Sequence, residues 1–348
     1  WDISNVTNME DMFETASALS DLNKCVIHTA FSVNENWPYD WSDLCAIDGY
    51  TFVPDDNFEQ ALIDLGYDDV LDNYVVTESI SGVTSLDVYN RSISNLTGIE
   101  AFVALNELTC GTNPLGEVDL SNNTALTSLS IGLSELTSLD LSNNTSLTSL
   151  ICHLNGLTSL DVSANTALTS ISCRDNNLTE LVLGNNTALT QLWCYGNGLT
   201  SLDVSANTAL TKLHSDHNQL TALDVSNNPA LIDLSLMGNE LTTLDVSAQT
   251  ALTYFRCNGN QLTTLNMRNG VTDSLTTFNA TNNPDLTCIE TLDPEYATAN
   301  WTNANSNIDD GVTFSFICGS EGQDVWHVAT TGSDGGAGTQ ESPFATIQ

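Results

Sequence analysis

Leucine recurs in this chain at Leu105, Leu126, Leu147, Leu168, Leu189, Leu210, Leu231, Leu252 and Leu275. The first seven intervals are 21 residues each and the last is 23. A fixed period of that length marks a stacked solenoid, in which each unit buries its apolar face only against its neighbours. The scaffold of such a chain repeats while its surface varies. Function is therefore expected where the repeat is broken.

One unit, from Leu147 to Ala167, reads LTSLICHLNGLTSLDVSANTA. It contains the pattern LxxLxLxxN twice, once over ten residues and once over eleven. Alternation at each LxL stretch predicts a short strand with one buried face. Leu147, Leu150, Cys152, Leu157, Leu160 and Val162 are expected to point inward. Ser149, Ile151 and His153 should point out on one flank, and Ser159, Asp161 and Ser163 on the other. Two strands per coil predict parallel sheets on two flanks, with coils stacked at the ~4.8 Å strand spacing. Asparagine fills two further columns, Asn113, Asn155, Asn176, Asn197, Asn218, Asn239 and Asn260, and then Asn123, Asn144, Asn165, Asn186, Asn207 and Asn228. An asparagine amide both donates and accepts, so it suits turns whose backbone groups no strand satisfies.

This pattern resembles a leucine-rich repeat, of the bacterial 21-residue class with nested half-repeats, over about residues 83–292. The resemblance implies a solenoid of about ten coils that recognises partners and has no chemistry of its own.

The flanking segments read differently. Residues 47–82 are expected to cap the solenoid. Within them Phe58, Ala61, Leu62 and Leu65 are spaced for an amphipathic helix over 55–66, with Asp55 or Asp56 as its cap and Gly66 at its end. Residues 293–322 should form the opposite cap. Residues 1–46, beginning WDISNVTNMEDMF, resemble the last unit of a BspA-like surface-protein repeat, a family associated with bacterial adhesins. Residues 326–348, WHVATTGSDGGAGTQESPFATIQ, resemble the opening of a pectate-lyase-like β-helix, so a further domain is expected from 323. Together the resemblances imply a secreted protein of a Bacteroidetes-type bacterium, of which this chain reads as a piece.

Asp and Glu number 44 against 6 Lys and Arg, a net charge of −38. Nucleic acid is a poor partner for such a surface, because no basic patch displaces counterions. No apolar run reaches the ~18 residues of a membrane span. Of nine cysteines, Cys110, Cys152, Cys173, Cys194 and Cys257 share one inward repeat position that Ile131 and Leu236 fill elsewhere. Exchange with aliphatics predicts buried free thiols rather than a metal or redox site. Cys25, Cys45, Cys288 and Cys318 lie outside the register. Their economical pairing is Cys25–Cys45 and Cys288–Cys318, which implies an oxidising, extracellular compartment.

Asp119, Asp140, Asp161, Asp203, Asp224 and Asp245 form an outward column on the second flank, with Val182 and Asn266 as exceptions. Carboxylates at strand spacing repel, so hydrogen bonds or cations must offset the cost. Calcium is the one ion this column could take, although it needs six to eight oxygens and a flat array offers few. No cofactor is otherwise expected. The Thr and Ser residues of that flank also admit an ice-binding reading, weakened by the charged Asp residues among them.

The first flank follows no consensus at its outward positions. It carries His153, Arg174, Trp193, Tyr195, Lys212, His214, Tyr254 and Arg256, together with Asp216, Asp233 and Met237. Exposed aromatics ringed by polar groups predict a recognition surface. No nucleophile elbow, zinc signature or phosphate loop stands out, so no catalytic residue is assigned. The chain is expected to be a monomeric, non-catalytic extracellular module that binds a glycan or a protein. The alternatives are a region targeting a downstream β-helix polysaccharide-degrading enzyme, and a structural spacer.

Overall fold

The computed structural model describes residues 47–319 and scattered positions between 9 and 39. The β-helix-like segment falls wholly outside these residues, and the BspA-like segment largely so. Met9 and Phe31 form a small core with Phe13, Ile27 and Trp37, separate from the main one.

Each coil crosses the first flank as one three-residue strand. These strands are β3 (Ser85–Asp87), β4 (Glu107–Thr109), β5 (Ser128–Ser130), β6 (Ser149–Ile151), β8 (Ser170–Ser172), β10 (Gln191–Trp193), β11 (Lys212–His214), β12 (Asp233–Ser235), β14 (Tyr254–Arg256) and β16 (Thr277–Asn279). They make a continuous ten-stranded parallel sheet. From β4 to β14, residues 21 apart are in register, as Leu192 is with Leu213 and Ile171. The period therefore places like residues side by side. Leu147, Leu150, Cys152, Leu157, Leu160 and Val162 are no more than 1% exposed. The five ladder cysteines are buried and free, and burial pushes the Cys152 and Cys194 thiols up to about 12.

The first asparagine column closes the turn after each strand of this sheet. Asn197 Nδ2 donates to the carbonyls of Cys173 at 3.1 Å and Cys194 at 3.0 Å, and its Oδ1 accepts from Leu178 N at 3.0 Å. Asn283 continues the column two residues out of step. In the second column the amides only donate. Asn165 Nδ2 reaches the carbonyls of Leu141 and Asn144, both at 2.9 Å.

Parallel sheet forms on the second flank as well, in line with the expectation, but it is not continuous. That flank pairs only in two places: β7 (Ser159–Asp161) with β9 (Glu180–Val182), and a four-stranded sheet of β13 (Thr243–Asp245), β15 (Thr264–Met267), β17 (Cys288–Thr291) and β18 (Thr313–Ser315). Both places include a break in the aspartate column, although the neighbours Val182 and Asp203 at the same break do not pair. Asp161 lies opposite Val182 and Asp245 opposite Asn266. The coils carrying Asp119, Asp140, Asp203 and Asp224 are not strands there. Each aspartate of the column closes its own turn whether or not its strand pairs, as Asp140 Oδ1 does on Ser142 N at 2.9 Å and Asp161 Oδ1 on Ser163 N at 2.8 Å.

The expected helix is α1 (Asp56–Asp64). Asp55 caps it by accepting from Asn57 N and Phe58 N, while its other oxygen accepts from Ser94 N, Ser94 Oγ and Asn95 N. One side chain thus ties the cap to the first coil, and Phe58, Ala61 and Leu62 complete the core. An antiparallel pair, β1 (Tyr50–Phe52) and β2 (Tyr74–Val76), and the short α2 (Thr77–Ser81) stand beside it. At the other end α3 (Pro294–Asn300) leads into Trp301, whose ring lies 4.3 Å from that of Phe278. Cys288 and Cys318 are joined. Cys25 is disulfide-bonded, and Cys45 lies outside the described residues.

Candidate functional site

The ten-stranded sheet presents its outward side chains in two columns. Gln191, Lys212, Asp233 and Tyr254 stand in one, and Trp193, His214, Ser235 and Arg256 in the other. Because residues 21 apart are adjacent, side chains far apart in sequence meet directly. Lys212 Nζ lies 5.9 Å above the Trp193 ring and 3.2 Å from Asp233 Oδ2. His214 Nε2 lies 2.8 Å from Asp233 Oδ1, and its ring stacks on Tyr254 at 6.2 Å. Arg256 Nη1 donates to Tyr254 Oη at 3.3 Å and Nη2 to Met237 Sδ at 3.4 Å.

A second group lies just beyond the strand ends. Arg174 sits 5.6 Å over the Tyr195 ring and 2.7 Å from Asp175. Burial, and then the Arg174 charge, hold His153 below the usual histidine range against the opposing pull of Asp175. The eight residues singled out in the sequence therefore lie on one face.

Two residues carry more than the sequence assigned to them. Asp233 is the node that joins Lys212, His214 and, through the histidine, Tyr254. The 21-residue register could have placed it beside Lys212. Asp216 was expected to point outward but is 9% exposed. Its Oδ1 accepts from the Ser235 hydroxyl and from Met237 N at 2.7 Å. This coil replaces the ladder cysteine with buried Ser215, so a polar cluster stands where neighbouring coils are apolar.

The second flank is organised otherwise. Thr179 and Thr263 hydroxyls donate to carbonyls of the preceding coil, which leaves no free hydroxyl lattice at those positions. Among the described residues no three His, Cys, Asp or Glu side chains gather as a metal site. No helix there is long and apolar enough to cross a membrane.

No family profile matches the chain. Internalin J of Listeria monocytogenes serotype 4b (strain F2365) is 40% identical over 73 residues, which is 21% of this chain and 8% of that protein. The functional domain of InlJ from Listeria monocytogenes, which includes a cysteine ladder, superposes with a TM-score of 0.62 at 36% identity, covering 70% of this chain and 56% of that one. The internalin InlF from Listeria monocytogenes gives 0.51 at 21% identity, covering 69% and 84%. The chain thus spans a small fraction of internalin J and about half of the InlJ domain. Its fold is the leucine-rich-repeat solenoid of internalin type.

Proposed function

We propose that the chain is a non-catalytic recognition module that binds a protein partner on its ten-stranded sheet, over the coils from Arg174 to Arg256. The observation that carries this reading is the linked array on that face. Trp193, Lys212, Asp233, His214, Tyr254 and Arg256 are joined by successive contacts and held by a rigid stack. A preorganised surface loses little entropy on binding. A protein is favoured over a glycan because one face of each ring already has a neighbour: Lys212 on Trp193, Arg174 on Tyr195, and His214 on Tyr254. Each ring then has at most one face left for a sugar, whereas a protein side chain can also pack on the ring edge. The likeness to internalin J supports recognition rather than chemistry.

The Cys288–Cys318 bond supports an extracellular setting. A Bacteroidetes-type surface protein, with a BspA-like region before the repeats and a β-helix after them, rests on sequence resemblance alone. The test is selection of displayed twelve-residue peptides on this protein, run beside a glycan array. The reading expects peptides whose binding falls at least tenfold in Trp193→Ala/Tyr195→Ala and is unchanged in Asp140→Asn. Glycan binding lost in the same double variant would replace the protein by a sugar. Peptides indifferent to the double variant would remove the site.

A further inference from the structure

We propose that Arg256 is the anchor for a carboxylate side chain, Asp or Glu, of the protein partner. This rests on the sheet face being the recognition surface. Arg91, Arg174, Lys212 and Arg268 each meet a carboxylate of this chain, at 2.7, 2.7, 3.2 and 3.3 Å. Arg256 meets neutral groups instead: a phenol oxygen and a thioether sulfur. Its register neighbours Ser235 and Asn279 are neutral as well. In a chain with 44 acidic residues, a carboxylate is the easiest partner to supply. The carboxylate on the adjoining strand, Asp233, is shared by Lys212 and His214.

The guanidinium is also held ready. Tyr254 is braced by its stack on His214. Met237 is braced through its backbone N–H, which donates to the buried Asp216, and Asp216 is held in turn by the Ser235 hydroxyl. A guanidinium carries five donors and pairs with carboxylates in a planar, two-pronged geometry. Only two donors are engaged here, both on weak acceptors. A half-buried cation with open donors and no carboxylate of its own is the complement of an acidic side chain.

The four arginines, Arg91, Arg174, Arg256 and Arg268, give four side-chain Nε–Hε signals in a 15N correlation spectrum. The protein is titrated separately with N-acetylglutamate methylamide, its glutamine counterpart and glucuronate. The Arg256 signal, assigned by its loss in Arg256→Lys, should shift saturably with the glutamate probe. The glutamine probe should act at least tenfold more weakly, and the three paired arginines should move less. No shift at Arg256, equal shifts from both amino-acid probes, or tenfold tighter binding of glucuronate would each overturn the proposal. Arg256→Gln should in addition weaken the selected peptides tenfold. If those peptides respond to Trp193→Ala/Tyr195→Ala but not to Arg256→Gln, the anchor falls and the surface stands. If the arginine shifts while the double variant binds normally, the surface reading falls and takes the partner anchor with it, leaving only a carboxylate-binding arginine.

Discussion

Along the rim of the sheet each coil places one residue in the left-handed region. Asp175, Gly196, His217, Gly238 and Gly259 occupy that position in successive coils. The glycines answer bulk in the coil before them. A Cβ on Gly238 would stand 2.8 Å from His217 Nδ1, and one on Gly196 would stand 2.5 Å from Asp175 Oδ1. Gly238→Ala combines a strained φ with that approach, so it should cost about 1–3 kcal/mol in urea unfolding. Gly259→Ala has the same φ problem, and its nearest neighbour is Gly238 N at 3.4 Å. It should cost less. In the core, Leu192 is fully buried, and Leu192→Ala should cost about 3–5 kcal/mol by loss of transfer energy and the cavity left behind. The buried leucines and the first asparagine column were legible because the same residue returns every 21 positions. Asp216 was not: alternation assigns it outward, and only the serines at 215 and 235 explain why it turns in.

Two columns set how stability depends on pH. Bonds from the serine two residues on hold Asp119, Asp140, Asp161, Asp203 and Asp224 below the usual carboxylate range. Their folded values lie below the unfolded ones, so the stability they supply is present above about pH 4 and is lost as pH falls through the folded values. Glu59 and Asp68, raised by burial, act in the opposite sense. The cysteine ladder governs the other limb. Burial raises all five thiols above their unfolded value of 9.0. Stability is therefore full below pH 9.0 and is lost as pH rises toward the folded values, about 12 for Cys152. Urea midpoints between pH 3 and pH 11 should show a plateau bounded on both sides, and replacing ladder cysteines with Val should flatten the alkaline limb. The partial second sheet belongs to this scale too. The sequence gives each half-repeat the same alternation, yet the second flank pairs only between β7 and β9 and among the last four strands, which the alternation did not distinguish.

A solenoid is stabilised by neighbour contacts, so its ends decide whether the stack holds. The N-terminal end is closed by α1 through Phe58, Leu62 and the Asp55 bonds to Ser94 and Asn95. The C-terminal end is closed by Trp301 and the Cys288–Cys318 bond, which spans 30 residues. Loop-closure entropy for a loop of that length predicts a loss of about 3–4 kcal/mol for Cys288→Ser/Cys318→Ser, measurable by equilibrium unfolding with the wild type under reducing conditions as the matched control. The capping helix was legible from its spacing, while the β1–β2 pair and α2 were not, because three- and five-residue elements carry too little periodicity. The candidate face was legible as departures from the repeat. Its wiring was not, since Asp233 gains its role only from the coil before it.

The central claim is that recognition occurs on the ten-stranded sheet between Arg174 and Arg256. Hydroxyl-radical footprinting tests it directly, because Trp, Tyr and Met are reactive side chains and the face carries all three. With a selected peptide bound, oxidation should fall at Trp193, Tyr195, Met237 and Tyr254 and stay unchanged at Tyr50 on the N-terminal cap, which is 49% exposed. Protection confined to the cap or to the aspartate flank, with those four residues unprotected, would contradict it.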